Sequence, residues 1–279
     1  FGEERVIDTP LSEAGIVGSA IGMAAFGLRP VAEIQFDGFV HPAFDQLISH
    51  ASRLRTRTRG RFTCPLVLRF PYGGGIRALE HHSDSFEALY VHVPGLKVVI
   101  PSTPYDAKGL LISSLRDPDP VIFMEPKRIY RAIKQEVPID EYAVPLGKAD
   151  IRRSGSDVTL VCYGAMVREA EKAADALASE RVSCEILDVR TVSPMDRDAI
   201  ITSVKKTGRC VVVHEAPRTG GLGAEISALI MEKALLDLKA PVERVTGFDT
   251  VMPLYRLENE YLPDSFRIIQ GVKKVMSFS

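Results

Sequence analysis

Residues 157–164, DVTLVCYG, and residues 166–179, MVREAEKAADALAS, decide the fold of this chain of 279 residues. The first stretch is a short apolar run that ends at a glycine, and the second has the apolar pattern of a helix. A buried strand that leads into a helix in this way is typical of a βαβ unit. The pair therefore predicts a mostly parallel sheet covered by helices.

The same alternation continues on both sides of this unit. Helical patterns of about ten to fifteen residues separate the short apolar runs. Strands are predicted at residues 31–36, 65–70, 96–102, 120–125, 183–189, 209–216 and 242–247, and helices at residues 43–54, 107–117, from Pro194 and at 223–236. The loops after the strands are rich in glycine, aspartate or proline, so they should gather at the carboxyl edge of a sheet, where function usually lies.

The chain is long enough for two domains, at about 150 residues per domain. Residues 125–147 mix charges with three prolines and show no apolar period, so we expect this segment to link the two halves. The predicted domains are residues 1–139 and 140–279, with the boundary near residue 140. The predicted fold class is α/β, with two doubly wound domains.

Composition excludes several classes of protein. With 35 Lys+Arg and 36 Asp+Glu the net charge is −1, so bulk charge predicts binding neither to nucleic acid nor to a membrane. No apolar stretch reaches the ~20 residues of a membrane helix, and no signal-peptide pattern opens the sequence. The four cysteines have no CxxC spacing, so neither disulfides nor a zinc site is expected.

Residues 9–27, TPLSEAGIVGSAIGMAAFG, are the first specialised segment. Pro10 and Ser12 are typical of a helix start, and Glu13 falls in the first turn, where the helix dipole favours a carboxylate. Each interior glycine costs about 1 kcal/mol relative to alanine. The three glycines at 15, 18 and 22 therefore indicate close approach of another backbone, a flat ligand or a tightly packed helix.

Residues 69–86, RFPYGGGIRALEHHSDSF, form the second specialised segment. Three glycines after a strand can lie flat against a substrate or a neighbouring chain. His81 and His82 follow, and a histidine near a helix start can act as a general acid or base. Such a pair is more often structural or exposed, and adjacent histidines rarely chelate one metal ion.

Residues 220–225, GGLGAE, resemble a phosphate-binding turn that opens a helix, but the GxGxxG spacing is absent. This absence argues against an NAD-dependent dehydrogenase. His214 and Glu215, at the end of the preceding predicted strand, could line a subunit interface. The sequence also lacks GxSxG, GxxxxGK[ST] and HExxH, so hydrolase, P-loop ATPase and zinc-protease readings have little support.

Four long segments together resemble the beta subunit of thiamine-diphosphate-dependent 2-oxo acid dehydrogenases, the decarboxylating component of the pyruvate and branched-chain complexes. They are residues 8–36, 81–111, 119–131 and 211–228. The resemblance implies a transketolase-like pyrimidine-binding domain followed by a transketolase C-terminal-type domain. It also implies that an N-terminal part of the first domain is missing, and a location in the bacterial cytoplasm or the mitochondrial matrix.

The same resemblance assigns roles to three residues. Glu13, in LSEAG, matches the glutamate that hydrogen-bonds the aminopyrimidine ring of thiamine diphosphate and so acts as a proton shuttle. Phe39 matches the aromatic residue that stacks on that ring. His82, in HHSDSF, matches the active-site histidine, which is expected to assist acyl transfer to a lipoyl group. The thiazolium ring of the cofactor serves as electron sink when carbon dioxide leaves.

The resemblance further implies metals and partner subunits. Residues 113–120, SSLRDPDP, match a potassium site of the family. Its expected ligands are Leu66, Ser114, Leu115, Asp117 and Asp119, although Asp119 replaces a common asparagine. The Gly-Asp-Gly motif that holds magnesium and diphosphate is absent. We therefore expect an alpha subunit to supply magnesium binding in an alpha2beta2 heterotetramer, which serves a lipoyl acyltransferase core.

The substrate is expected to be a small 2-oxo acid. Residues 125–132, EPKRIYRA, together with residues 155–161 and 206–227, favour a branched-chain 2-oxo acid. Pyruvate dehydrogenase and acetoin dehydrogenase beta subunits are the alternatives. A non-catalytic assembly subunit is a further alternative from another class, but such a protein has no need of Glu13, Phe39 and His82 together.

Overall fold

The computed structural model describes residues 1–278, which contain two five-stranded sheets. The first has the order β1-β2-β4-β3-β8, and its first four strands are parallel. β8 joins its edge antiparallel to β3. The strands are β1 (Val31–Glu33), β2 (Val67–Tyr72), β3 (Lys97–Val99), β4 (Val121–Pro126) and β8 (Thr191–Ser193).

The second sheet has the order β10-β9-β6-β7-β5, with β5 antiparallel at the edge. Its strands are β5 (Asp150–Arg153), β6 (Val158–Cys162), β7 (Cys184–Asp188), β9 (Cys210–Val213) and β10 (Glu243–Val245). Every residue of β6 and β9 is buried, because helices cover both faces of a mostly parallel sheet. The α/β class with two doubly wound sheets is confirmed.

Side chains at the helix ends explain several helix boundaries. Thr103, Asp196 and Asp264 each accept a hydrogen bond from the first turn of the helix that follows. Gly208 ends α6 with a φ of 74°, a left-handed conformation that glycine adopts readily. The helices are α1 (Glu13–Ala25), α2 (Leu54–Arg57), α3 (Glu87–Val91), α4 (Pro104–Arg116), α5 (Ala165–Ser179), α6 (Arg197–Thr207), α7 (Leu222–Ala234), α8 (Glu258–Tyr261) and α9 (Ser265–Met276).

The segment predicted as a helix at residues 43–54 is helical throughout, but it is not one regular α-helix. The segment contains a π-helical turn at Gln46–His50, a 3₁₀ turn at Ala51–Arg53 and then the short α2. Gly95 lies directly against the Ser52 carbonyl, and a Cβ at residue 95 would collide with it. The periodicity of apolar residues considers only spacing along one helix, so it cannot predict this contact with a distant glycine.

One strand crosses from the second half of the chain into the first sheet. The backbone turns at Arg190, which has a φ of 55°, and its carbonyl accepts a 2.7 Å hydrogen bond from Ile100 N. The Arg190 guanidinium pairs with the buried Asp106 at 2.9 Å. The two sheets therefore share chain from both halves, and the boundary near residue 140 stays a prediction.

The carboxyl edges of the two sheets face each other. Tyr72, at the end of β2, lies against Gly164, which follows β6. The hydroxyl of Tyr163 donates a 2.7 Å hydrogen bond to Glu87, which opens α3. Loops from both sheets thus meet at one junction. No helix within residues 1–278 is both long and apolar enough to span a membrane.

Candidate active site

Phe39 and His82 meet at the carboxyl edge of the first sheet. Phe39 ends a 3₁₀ turn after β1, and His82 ends another in the loop after β2. Their ring centroids are 5.2 Å apart, and the Phe36 ring lies 4.7 Å from the His82 ring. The parallel order of β1 and β2 brings these loops together, as the carboxyl-edge rule predicts.

Asp37 fixes the turn that carries Phe39. Its buried carboxylate accepts 2.7 Å and 2.8 Å hydrogen bonds from the Tyr90 hydroxyl and the Phe86 backbone N–H. Burial raises the pKa of Asp37 to about 7, although these two hydrogen bonds favour the charged form. The contact ties the Phe39 turn to the start and middle of α3, so the aromatic ring has a rigid support.

Glu13 lies half-buried in the first turn of α1. Its carboxylate has no hydrogen bond or ion pair with any other residue in 1–278. The helix packs against His41–Ala43, the turn that follows Phe39. α1 thus lies beside the turn that follows Phe39, and the Glu13 carboxylate is not engaged by another side chain of residues 1–278.

The glycines of α1 have little of this chain against them. A side chain at Gly15 would meet Ser12, and one at Gly18 would meet Gln46. Nothing in the described chain lies within 4 Å of the Cβ position of Gly22. The expected close approach of a second backbone therefore does not occur within residues 1–278.

The glycine loop after β2 is held by the second half of the chain. Gly75 N and Arg77 N donate hydrogen bonds of 2.5 Å and 2.9 Å to the carboxylate of Glu258, a residue only 2% exposed. A Cβ at Gly73 would collide with Glu215. These glycines thus lie against other parts of the same chain, whereas the sequence indicated a substrate or a neighbouring chain.

Two buried carboxylates, Glu87 and Glu215, lie under this loop. The Oε2 atom of each has no hydrogen-bond partner within residues 1–278. Burial raises the pKa of Glu87, and it raises the pKa of Glu215 to about 8, with the Glu87 charge adding to the effect. Burial of both carboxylates thus favours their protonated forms.

Sequence reasoning missed Lys127, whose side chain contacts the backbone of His82. Its ammonium donates a hydrogen bond to the His82 carbonyl and lies 4.8 Å from the centroid of the Phe36 ring. Lys127 is only 6% exposed, and burial lowers its pKa to about 8, while Glu215 and Glu258 oppose that shift. A lysine at the end of an apolar strand, in VIFMEPK, is the signal that could have indicated it, because lysines are rarely buried.

These residues fit the pyrimidine half of thiamine diphosphate. Glu13 offers an unengaged carboxylate, Phe39 offers a half-buried ring, and His82 has a buried Nδ1 with no hydrogen-bond partner in the described chain. No group of three or more histidine, cysteine or acidic side chains in residues 1–278 could hold a metal ion.

The predicted potassium ligands do not fit a cation as they are arranged. The carbonyls of Leu115 and Asp117 both accept hydrogen bonds from Arg29, at 2.9 Å and 3.2 Å. The Asp117 carboxylate pairs with Lys97 at 2.6 Å, and Asp119 pairs with Arg55 at 2.7 Å. The remaining two carbonyls, of Leu66 and Ser114, accept from the backbone N–H groups of Val121 and Asp117. Cationic side chains thus engage oxygens of Leu115, Asp117 and Asp119, and backbone amides engage the carbonyls of Leu66 and Ser114.

The His214 side chain packs against the glycine turn at residues 220–225. Gly223 N donates a 3.1 Å hydrogen bond to Nε2 of the buried His214, and a Cβ at Gly221 or Gly223 would press on this ring. Burial lowers the pKa of His214 to about 4, so the ring is neutral. Because His214 fills the space in front of the turn, the arrangement gives no support to a nucleotide site.

Comparison with known families covers both halves of the chain. Residues 1–133 match the family described as "Transketolase, pyrimidine binding domain", and residues 147–268 match "Transketolase, C-terminal domain". The segment between the two matches contains residue 140. Glu13, Phe39 and His82 all lie within the first matched segment.

Two curated relatives are similar over nearly the whole chain. The pyruvate dehydrogenase E1 component subunit beta of Acholeplasma laidlawii is 54% identical over 275 residues, which cover 99% of this chain and 84% of that protein. The protein of the same name from Bacillus subtilis strain 168 is 51% identical over 278 residues, which cover 100% of this chain and 86% of that one.

A solved structure titled "Split gene transketolase, inactive beta4 tetramer" matches with a TM-score of 0.79 and 21% identity. The match covers 95% of this chain and 82% of that chain. At this identity the likeness shows the fold alone.

Proposed function

The chain belongs to the E1 beta subunits of thiamine-diphosphate-dependent 2-oxo acid dehydrogenases, and on this premise we propose that it is the beta subunit of a pyruvate dehydrogenase. The observation that carries the proposal is the 54% identity over 99% of the chain to a pyruvate dehydrogenase subunit. Phe39 and His82 at the carboxyl edge of the first sheet, together with the unengaged Glu13 carboxylate in the first turn of α1, support the same activity.

The substrate proposal corrects the branched-chain prediction. Relatives at 49% to 54% identity are named for pyruvate, whereas the segments that suggested a branched-chain acid are short. Pyruvate, the alternative, is therefore better supported. The same names give no support to acetoin cleavage or to a purely structural assembly subunit.

Glu13 and Phe39 would hold the aminopyrimidine ring of thiamine diphosphate. When bound, the cofactor supplies a thiazolium ring that accepts the electron pair released as carbon dioxide leaves. Glu13 would hold a proton at its carboxyl oxygen and exchange it with a ring nitrogen. Phe39 would orient the ring by stacking, because its own turn is fixed by Asp37.

His82 would act in the later transfer of the acyl group to a lipoyl group. An imidazole can donate a proton as the dithiolane opens and accept one afterwards. The ring is supported on one side by Phe36 and on another by Phe39. Both supports limit its rotation, so the proton would be delivered at a defined position.

Partner subunits complete this proposal. An alpha subunit would bind magnesium and the diphosphate in an alpha2beta2 heterotetramer, because this chain as described offers no cluster of metal ligands. The heterotetramer would acylate the lipoyl groups of an acyltransferase core. Potassium is not included, and the location in the cell stays a prediction.

The test is co-expression with the matching alpha subunit and measurement of turnover of pyruvate and 3-methyl-2-oxobutanoate. We expect kcat/KM to favour pyruvate by at least about tenfold, a difference of roughly 1.4 kcal/mol in transition-state free energy. The isolated beta chain is the control and should be inactive. A preference for the branched acid would refute the substrate proposal, and no turnover of either acid by a well-assembled complex would refute the function.

A further inference from the structure

We propose that Lys127 is a positioning residue that holds His82 in place for acyl transfer, by clamping the His82 backbone carbonyl and the Phe36 ring on which the imidazole rests. The proposal rests on the proposed function, in which His82 serves the lipoyl half-reaction. It concerns a residue that neither composition nor motif spacing marked.

The sheet puts Lys127 at this position. β2 and β4 are adjacent and parallel, with Tyr72 in register with Pro126. Lys127 therefore emerges beside the first glycine of the loop that carries His82. A residue directly after β4 can reach this loop because both strands end at the same level.

Two contacts of one ammonium group act on the same imidazole. Lys127 Nζ donates to the His82 carbonyl, and the ammonium lies 4.8 Å from the centroid of the Phe36 ring. The Phe36 ring in turn lies 4.7 Å from the His82 ring, with the planes inclined by 67°. The lysine thus restrains both the backbone of His82 and the aromatic surface against which its side chain packs.

In the described part of the chain, His82 lacks the hydrogen bond that usually orients an active-site histidine. Such a ring is normally held by a hydrogen bond from its second nitrogen to a carboxylate or carbonyl. The Nδ1 of His82 is buried and has no partner in the described part of the chain. Within this chain, the contacts that orient the ring are those of its backbone and of the neighbouring Phe36 and Phe39 rings.

A purely structural role explains the choice of lysine poorly. A neutral donor could satisfy one carbonyl without the cost of burying an ammonium group. The acidic side chains that face Lys127 are Asp37 and Asp84 in the first half and Glu215 and Glu258 in the second. Burial lowers the pKa of Lys127 to about 8 against the opposing effect of these groups, so the charge of the clamp is sensitive to mildly alkaline pH.

The experiment uses the complete heterotetramer with Lys127→Met, which keeps most of the alkyl chain and removes the donor. Two rates are compared with those of the wild-type complex: pyruvate decarboxylation with an artificial electron acceptor, and reductive acetylation of an isolated lipoyl domain. We expect kcat of the second reaction to fall about tenfold or more and the first to stay within about twofold, since a positioned acid or base contributes about 10² or more to a rate.

Lys127→Arg and the pH profile separate positioning from simple stability. The arginine variant keeps a donor whose charge persists, so it should recover part of the acetylation rate and lose the decline that we expect in the wild type above about pH 8. Lys205→Met is the matched control, because Lys205 is a half-exposed lysine on α6 paired with Asp237. This control should leave both reactions unchanged.

Normal acetylation in assembled Lys127→Met complex would overturn the proposal. An equal loss of both half-reactions together with a lower melting temperature would also overturn it, because that pattern belongs to a structural role. If Lys127→Met does not assemble, Lys127→Arg decides, and an unchanged alkaline decline in that variant counts against the proposal. Failure of the proposed function would show separately, as absence of pyruvate turnover in the wild-type complex.

Discussion

The two sheets end in similar residue types, but their carboxyl edges differ in access. His82, at the edge of the first sheet, is half-buried and contacts two phenylalanine rings. His214, at the edge of the second sheet, is fully buried and accepts a hydrogen bond from Gly223 N. The comparison shows that burial by neighbouring segments decides whether a histidine after a parallel strand is accessible to a ligand or is part of the core.

The buried edge supports the open one. Glu215 packs on Gly73 and Glu258 binds the amides of Gly75 and Arg77, so the second half of the chain shapes the loop that carries His82. We thus propose that the edge of the first sheet carries the catalytic residues and that residues following the second sheet hold their loop in place. Each prediction below tests one side of this division.

The largest effect is expected from Glu13→Gln, in the first turn of α1, which lies beside the turn that follows Phe39 at the open edge. An amide cannot exchange a proton with the cofactor ring, so decarboxylation of pyruvate in the heterotetramer should fall by about 100-fold or more. The measurement is turnover with an artificial electron acceptor. Glu232→Gln, an exposed glutamate on α7, should have no effect, and near-normal decarboxylation by the Glu13 variant would contradict the proton-shuttle role.

A somewhat smaller and more selective effect is expected from His82→Ala. Loss of the imidazole should slow reductive acetylation of a lipoyl domain by about 10- to 100-fold and spare most decarboxylation. His50→Ala, at an exposed histidine, is the control. If both half-reactions fall together, His82 does not serve the lipoyl step alone.

At the buried edge we expect a pH-dependent stability effect from Glu215→Gln. The pKa of Glu215 is raised from 4.5 to about 8, so stability from this group is complete at low pH and is lost as the pH rises through that interval. The glutamine variant lacks this loss. Its melting temperature relative to wild type should increase from pH 5 to pH 8, by a shift equivalent to roughly 1 kcal/mol or more.

The control for this experiment is again Glu232→Gln, whose melting temperature should follow that of the wild type at both pH values. A difference between Glu215→Gln and wild type that stays constant from pH 5 to pH 8 would show that the buried carboxylate does not titrate as expected. The supporting edge would then hold its loop by packing alone.

The smallest effect concerns residues 113–120, away from both edges. Because Arg29 already occupies the carbonyls of Leu115 and Asp117, exchange of potassium for sodium should leave the melting temperature unchanged to within about 1 °C, since only a bound ligand stabilises the native state. Arg29→Met frees both carbonyls and is the informative comparison. A clear stabilisation of the wild type by potassium would restore the original prediction.

Much of the fold follows from the sequence because periodicity is local. The strands predicted at 65–70 and 183–189 correspond to β2 and β7, and the helix predicted at 166–179 corresponds to α5. β8 was missed because its three residues, TVS, have no apolar run of their own. The segment predicted as a helix at 43–54 is helical, but its π-helical and 3₁₀ turns could not be read from apolar spacing alone.

The candidate site shows the same limit. Glu13, Phe39 and His82 were found through a family resemblance, whose motifs preserve residue types. Lys127 and Glu258 were not found, although both contact the loop that carries His82. Their contacts with that loop span between 45 and 183 residues of sequence, and no spacing rule connects residues so far apart.

The sequence by itself determined the α/β class, the two domains' element order and the residue types available for cofactor chemistry, because strand and helix patterns depend on neighbours within a few turns. Tertiary structure decided which histidine is open, which carboxylates are buried and which lysine lies behind the site. Those properties depend on desolvation and on contacts between the two sheet edges, and both arise only when distant segments pack together.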